Sequence, residues 1–529
     1  MKLKQNLRLT FLFLSVILIT FSGCQTNVGK IAETKNPNGR NDAWGHVGPG
    51  GGGAQFNPAV SPHDPNFVFV TCDMGGSYVS YNGGESWRMF NLRRMCQFFA
   101  FDPVNPDVVY ACSSVLYKST DRGNTWTLFY PKPSEGDGSR FNARRTVQAL
   151  AIDPARSEKM YAAIRTDQTV VLFVSDNGGE DWIKERELAK DVKGIFIDPS
   201  SPAGNRTIYV TMENGIEQKV NGQWKSNLQK EGELKFNSFT SGYDEKIKKY
   251  IIYAISGENY YTSRDRVKTT QTGIYYTEDG GKTWENRQEG LVKLAGTNPV
   301  PPEYRAIGTS AFHPEVVYVS YTGFKFHPDT TFHGVAKSED FGKTWTLPWK
   351  DMGRIPSPNF GRDWMNERFS TAWGENPFSV AVAPTNPDVF YGSDFGRTIK
   401  TANGGKTWEG VYSKLQPNGK WASRGMEVTT NHQVVFDPFD ENHVFLAVTD
   451  IGLFESNDGA KSWLSATENN GVPQRWYNTT YWLTFDPEVK GRGWAVMSGI
   501  HDLPHAKMFR NGLNGYNGDR KSTRLNSSH

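Results

Sequence analysis

The chain has 529 residues, with 59 basic and 56 acidic side chains and a formal net charge of +3. That balance, with no long basic run, argues against a nucleic-acid binder, while 13% aromatic residues and 53 glycines describe many short strands and turns. The length exceeds one ordinary domain, although a closed ring of repeats can run this long as a single unit.

Met1-Lys2-Leu3-Lys4 precedes a mostly apolar run over 11–21, too short for a mature spanning helix and read as a secretory signal. The run ends Phe21-Ser22-Gly23-Cys24. Small residues before a cysteine resemble a lipoprotein signal, which would remove 1–23, lipidate Cys24 and leave 24–43 as a polar tether. A simple cleaved signal is the alternative. The expected address is that of an exported bacterial lipoprotein, at the outer membrane, periplasm or cell surface. Cys72, Cys96 and Cys112 read as buried thiols, with a Cys96–Cys112 pair left open, and no spacing suggests a metal site or any cofactor.

From about residue 56 two phrases alternate. One is an octet of the form S-x-D-x-G-x-T-W, clearest at Ser119-Thr120-Asp121-Arg122-Gly123-Asn124-Thr125-Trp126 and present in seven copies that end at Trp87, Trp126, Trp182, Trp284, Trp345, Trp408 and Trp463. It reads as a hairpin: Asp or Asn and Gly tolerate a left-handed turn, hydroxyls and carboxylate bond its free amides, and the indole fills the gap to a neighbouring sheet. The other phrase is a strand, a Pro turn and a strand, as in Phe101-Asp102-Pro103, Ile152-Asp153-Pro154, Ile197-Asp198-Pro199, Phe436-Asp437-Pro438 and Phe485-Asp486-Pro487.

Phrase and octet together make a four-stranded unit. Units run over about 56–90, 96–130, 147–184, a fourth with a decayed octet ending at Trp224, 236–286, 306–348, 379–411 and 433–465, and a ninth opens near Tyr481 without an octet. The expected fold is all-β, a propeller of four-stranded blades. The tail 519–529 lacks strand periodicity, resembles translated adaptor read-through, and is set aside.

The octet looks like the Asp box of sialidases, sortilin-type receptors and the xyloglucanases of glycoside hydrolase family 74. The resemblance implies β-propellers with the box between the third and fourth strands of each blade, on the face away from ligand. Family 74 uses two seven-bladed propellers. This favours a first propeller over 44–430 and the start of a second, truncated, over 431–518; the cysteines of the ten-bladed sortilin type are missing.

Thr71-Cys72-Asp73-Met74-Gly75-Gly76-Ser77-Tyr78 resembles the family's first-blade signature T-D-I-G-G-A-Y, and the resemblance implies that Asp73 is a catalytic carboxylate. Asp450 occupies the same place in unit eight and Asp394 in unit seven. Inverting hydrolysis needs an acid and a base about 6.5–9.5 Å apart, so Asp73 with Asp450 is the first choice and Asp394 the competitor. Each such Asp-x-Gly is also good turn chemistry.

The loops opposite the boxes hold aromatic, Arg and acidic residues suited to sugar rings and hydroxyls: Trp364, Glu367, Arg368 and Trp373; Trp421, Arg424 and Glu427; Trp476; and His501 and His505. Taken singly, each reads first as a loop anchor or inter-blade plug and second as a contact. His327 and His333, with His501 and His505, would suit a lyase acting on uronates. The expected function is a polysaccharide-degrading glycoside hydrolase, xyloglucanase-like, endo-acting and inverting, with a glycan- or protein-binding propeller or a lyase as alternatives. The expected partners are a polysaccharide or oligosaccharide and, through Cys24, a membrane.

Overall fold

A computed structural model describes residues 45–74, 76–130, 146–166, 169–230, 234–256, 272–295, 302–327, 330–371, 377–467, 471–499 and 522–526. The described chain is nearly all β, with two short α-helices, Glu289–Val292 and Trp364–Phe369. Seven antiparallel four-stranded sheets follow one another over 55–91, 98–130, 146–188, 192–228, 238–286, 303–352 and 379–410, each with its strands in sequence order.

The first strands lie side by side. Gln55–Val60 touches Phe98–Phe101, and adjacency passes through Thr146–Asp153, Val192–Ile197, Ser238–Asp244 and Glu303–Ser310 to Ser379–Ala383, which packs back against Gln55–Val60. The sheets therefore stand around a circle, as blades of a propeller. Alternation makes this possible, because both faces of each sheet carry apolar side chains for a neighbour.

All seven boxes build one hydrogen-bond net. The amide of the fifth residue donates to the hydroxyl of the first at 2.8–3.0 Å, in Gly84, Gly123, Gly179, Gly281, Gly342, Gly405 and Ala460 alike. In the clearest copy, Asp121 accepts from the Thr125 amide and hydroxyl at 2.8 and 2.7 Å. The left-handed residues are the fourth and fifth, such as Arg122 (φ 58°) and Gly123 (φ 84°). The third-position Asp or Asn serves as acceptor rather than adopting the left-handed turn the sequence suggested, because its short side chain must face the amides that the turn frees.

Each box leans on the preceding sheet. The indole Nε1 of Trp345 donates to Arg287 O, that of Trp408 to Pro348 O, and that of Trp87 to Val411 O, the last joining sheet one to the end of sheet seven. The Pro-turn aspartates cap their own turns and reach onward: Asp102 accepts from the Val104 and Asn105 amides and from Ser157 of the next sheet. Asp153 is gripped by Arg206 at 2.8 Å. Cys72, Cys96 and Cys112 are free, buried thiols, so the Cys96–Cys112 pair does not form.

Beyond sheet seven, a hairpin of Ser413–Leu415 and Trp421–Ser423 leads into a further sheet. Its strands Asn431–Asp437, Asp440–Val448, Gly452–Ser456 and Leu464–Ser465 form an eighth unit. Thr479–Phe485 and Arg492–Ser498 join it through one parallel bridge, Gly452 to Thr479. Ser522–Asn526, within the segment set aside above, pairs antiparallel with Arg492–Ser498. No helix among the described residues is long and apolar enough to cross a membrane. Cys24, its signal and its tether lie outside the described residues.

Candidate functional site

Box and candidate carboxylate sit at opposite ends of one strand. Strand Gly76–Ser80 begins after the Asp73 turn and ends in a box; Thr398–Thr401 begins after Asp394 and Gly452–Ser456 after Asp450, each again ending in a box. A strand of four to five residues separates the two ends by roughly 15 Å. The three aspartates therefore share the face away from the boxes.

A glycine-rich segment at the start of the ring draws those three turns together. The Gly51 amide donates to Met426 O at 2.6 Å, Gly52 to Gly396 O at 3.1 Å and Gln55 to Asp394 O at 2.9 Å, while Ala54 O accepts from the Asp73 amide at 3.3 Å. Ile451, next to Asp450, packs so tightly on Gly52 that a Cβ there would lie 3.1 Å from its side chain. Glycine is needed here because Gly50, Gly51 and Gly52 all have φ between +77° and +87°.

The three carboxylates differ in surroundings. Asp73 is exposed. Asp450 is half-buried and held at φ +67°, its amide donating to Thr479 Oγ1 at 3.3 Å. Beside it Thr449 Oγ1 bonds His432 Nε2 at 2.7 Å, and His432 lies against Tyr481. Asp394 is 0% exposed. It accepts from the Gly396 and Arg397 amides and from Arg397 Nε, at 2.8–2.9 Å. Arg397 in turn reaches Asn366 Oδ1 at 2.5 Å, and Asp363 accepts from Tyr412 at 2.7 Å, which ties the 353–371 loop over sheets six and seven.

The loop residues divide. Trp364 is buried, donates to Gly50 O at 3.0 Å and packs on Tyr412 and Phe454, a plug between the ring and the eighth sheet. Glu367 pairs with Arg362 at 2.6 Å near the surface. Arg368 reaches Thr467 and Tyr477 O and lies over Phe369. Trp476 is buried in the core of the last sheet. Trp421 and Arg424 lie on the box side: Trp421 exchanges backbone bonds with the box residue Trp463, and Arg424 donates to Gly84 O within a box turn. Trp373, His501 and His505 lie outside the described residues, as does the side chain of His327.

His333 is buried, 3.7 Å from the buried Asp351. Burial, helped by Arg397, pushes the imidazole down to about 4, and burial pushes the Asp351 carboxyl up to about 6. A group so enclosed cannot reach a polymer, which removes one proton acceptor from the lyase reading.

Sequence reasoning did not place His432, Thr479 or Tyr481 at the Asp450 turn, and nothing in their spacing singles them out. Glu427 was visible only as one loop acid among many. Its carboxyl accepts from the Gly50 amide and the Ser423 hydroxyl, and burial, against those bonds, pushes it up to about 7.

Comparison with known proteins agrees with the repeat and the fold. Residues 275–286 match the BNR/Asp-box repeat. The chain is 23% identical over 364 residues to a xyloglucanase of Acetivibrio thermocellus, covering 59% of this chain and 40% of that protein. It is 24% identical over 480 residues to an oligoxyloglucan-reducing end-specific xyloglucanase of Emericella nidulans, covering 81% and 52%. The chain thus spans about half, or less, of the curated relatives it matches.

Among solved structures, an ancestral family 74 enzyme superposes with a TM-score of 0.63 at 18% identity, over 87% of this chain and 60% of that one. The chain is an Asp-box β-propeller with a family 74-like fold. The family 74 xyloglucanase of Xanthomonas campestris aligns with a TM-score of 0.53 at 14% identity, over 87% and 74%.

Proposed function

We propose that the chain is part of an exported glycoside hydrolase that cuts a β-glucan such as xyloglucan, endo-acting and inverting, with Asp73 and Asp450 as its acid and base. The observation that carries the reading is the glycine-rich segment: Ala54 bonds the Asp73 turn and Gly52 packs against Ile451 of the Asp450 turn, two residues apart. Two residues of chain reach at most about 7 Å, so the two anchoring contacts lie close together, as an acid and base about 6.5–9.5 Å apart require. Similarity to xyloglucanases supports the substrate class.

Asp394 fits the second role less well, since a guanidinium and two amides already occupy it. The apolar run over 11–21 before Cys24 supports export and lipid anchoring.

The test is incubation of the protein with neutral and uronate-containing polysaccharides, alongside Asp73→Asn and Asp450→Asn. New reducing ends from xyloglucan, of inverted anomeric configuration and lost in both variants, are expected. An unsaturated-uronate absorbance, or binding with no cleavage, refutes the reading.

A further inference from the structure

Glu427 stands where the ring meets the eighth sheet. Its backbone bridges Gly51, and its carbonyl accepts from the Tyr78 hydroxyl at 2.5 Å, on the hairpin whose turn carries Asp73. Its carboxyl lies against the glycines: a Cβ on Gly48 would fall 2.5 Å from Oε2, so a side chain there would displace the carboxyl. Oε1 is buried and has no hydrogen-bond partner among the described residues. The neighbouring Met426 carbonyl takes the Gly51 amide. One side chain thus holds the start of the glycine-rich segment whose next residues touch both the Asp73 and the Asp450 turns.

We infer that Glu427 is a positioning residue for the Asp73–Asp450 pair, clasping the 48–55 segment when its carboxyl is neutral and loosening it when ionised. The inference rests on the hydrolase reading for its catalytic consequence, but not for its structural one. A neutral carboxyl can stay enclosed, whereas a carboxylate lacking a full set of partners is driven toward water and takes the Gly50 contact with it. Ionisation falls near neutrality, since burial holds the group up to about 7. The titratable and charged groups on the elements around it are Cys72, Asp73 and Tyr78 on the sheet-one hairpin, His46 ahead of the glycines, Tyr412 beside Gly50 and Gly51, and Arg424 on its own segment. The Arg424 guanidinium is turned away, toward Gly84 and Glu409.

The experiment measures distance and rate separately. Nitroxides at Met74→Cys and Thr430→Cys, in a Cys24→Ser background, report the gap between the two turns. Met74 is 61% exposed, and the exposed Thr430 accepts from the Thr449 amide. With Glu427 present, the distance distribution should be narrow at pH 6 and broader at pH 8.5; with Glu427→Gln it should stay narrow at both. On xyloglucan, Glu427→Ala should lower kcat by about 10- to 100-fold with little change in KM, and Glu427→Gln should keep the acid-side rate and lose the alkaline fall.

The same pH response in Glu427→Gln as in the parent, or none in either, overturns the inference. Absence of hydrolysis in the parent overturns the hydrolase reading instead, and the distances still decide the clasp.

Discussion

Trp87 fastens the first sheet to the seventh, and a comparison with Trp126 isolates that duty. Trp87 is fully buried, with its Nε1 donating to Val411 O at 2.8 Å, while Lys400 of sheet seven grips Gly83 O in the same turn at 2.7 Å. Trp126 is only half-buried, stacks on Phe90 at 5.3 Å, and its Nε1 has no hydrogen-bond partner among the described residues. Trp87→Phe therefore leaves a buried carbonyl unpaired, about 1–3 kcal/mol, and opens a void worth about 1 kcal/mol more. Trp126→Phe deletes no bond and should cost less than about 1 kcal/mol. Urea unfolding followed by far-UV circular dichroism should separate the two by about 2 kcal/mol, with a second probe checking that the transition is cooperative. Equal losses, or a larger loss at Trp126, would mean that the ring does not depend on the first-to-seventh seam.

Asp458 is held from 3.8 down to about 2: burial works to raise it and is outweighed by the Ser462 and Ser456 hydroxyls and the Ser462 and Lys461 amides. A depressed carboxylate stabilises above its ordinary range, so the advantage over Asp458→Asn, about 1–2 kcal/mol at pH 7 after allowance for solvent, should fade as pH drops from about 4 to 2; a gap constant with pH refutes this. Asp450 sits at φ +67°, so Asp450→Ala should be about 1 kcal/mol less stable than Asp450→Asn, although both should abolish activity; equal melting points would show that the turn relaxes.

The repeat was legible because it is local. Seven boxes of one spacing specify seven turns, and even the fourth sheet, whose box had decayed to Asn221-Gly222-Gln223-Trp224, kept its hairpin with Trp224 paired to Lys219. What joins the ends was not legible, since nothing in Gly48–Gln55 announces partners more than 300 residues away. Trp364, Trp421 and Arg424 show why loop contacts are hard to read: the chemistry that suits a sugar also suits a core, and sequence does not say which way an indole turns. Trp364 went to the plug, and the other two to the box side.

A finer signal was present in the three Asp-x-Gly turns. Asp73-Met74-Gly75-Gly76, Asp394-Phe395-Gly396-Arg397 and Asp450-Ile451-Gly452-Leu453 share a frame and differ at the fourth place. An arginine there can fold back on the aspartate through both amide and guanidinium, as Arg397 does, and a carboxylate so occupied becomes a brace. Gly76 and Leu453 carry no such group; Asp73 is exposed and Asp450 half-buried. Arg397→Leu should then not free Asp394 for catalysis. Asp394 and Asp363 would be left as enclosed acids without their cation, at a cost of about 3–5 kcal/mol, whereas Asp73→Asn, at an exposed turn, should cost less than about 0.5 kcal/mol. Calorimetry of the two variants decides it: an Arg397→Leu chain as stable as the parent would remove the reason for separating Asp394 from the catalytic pair.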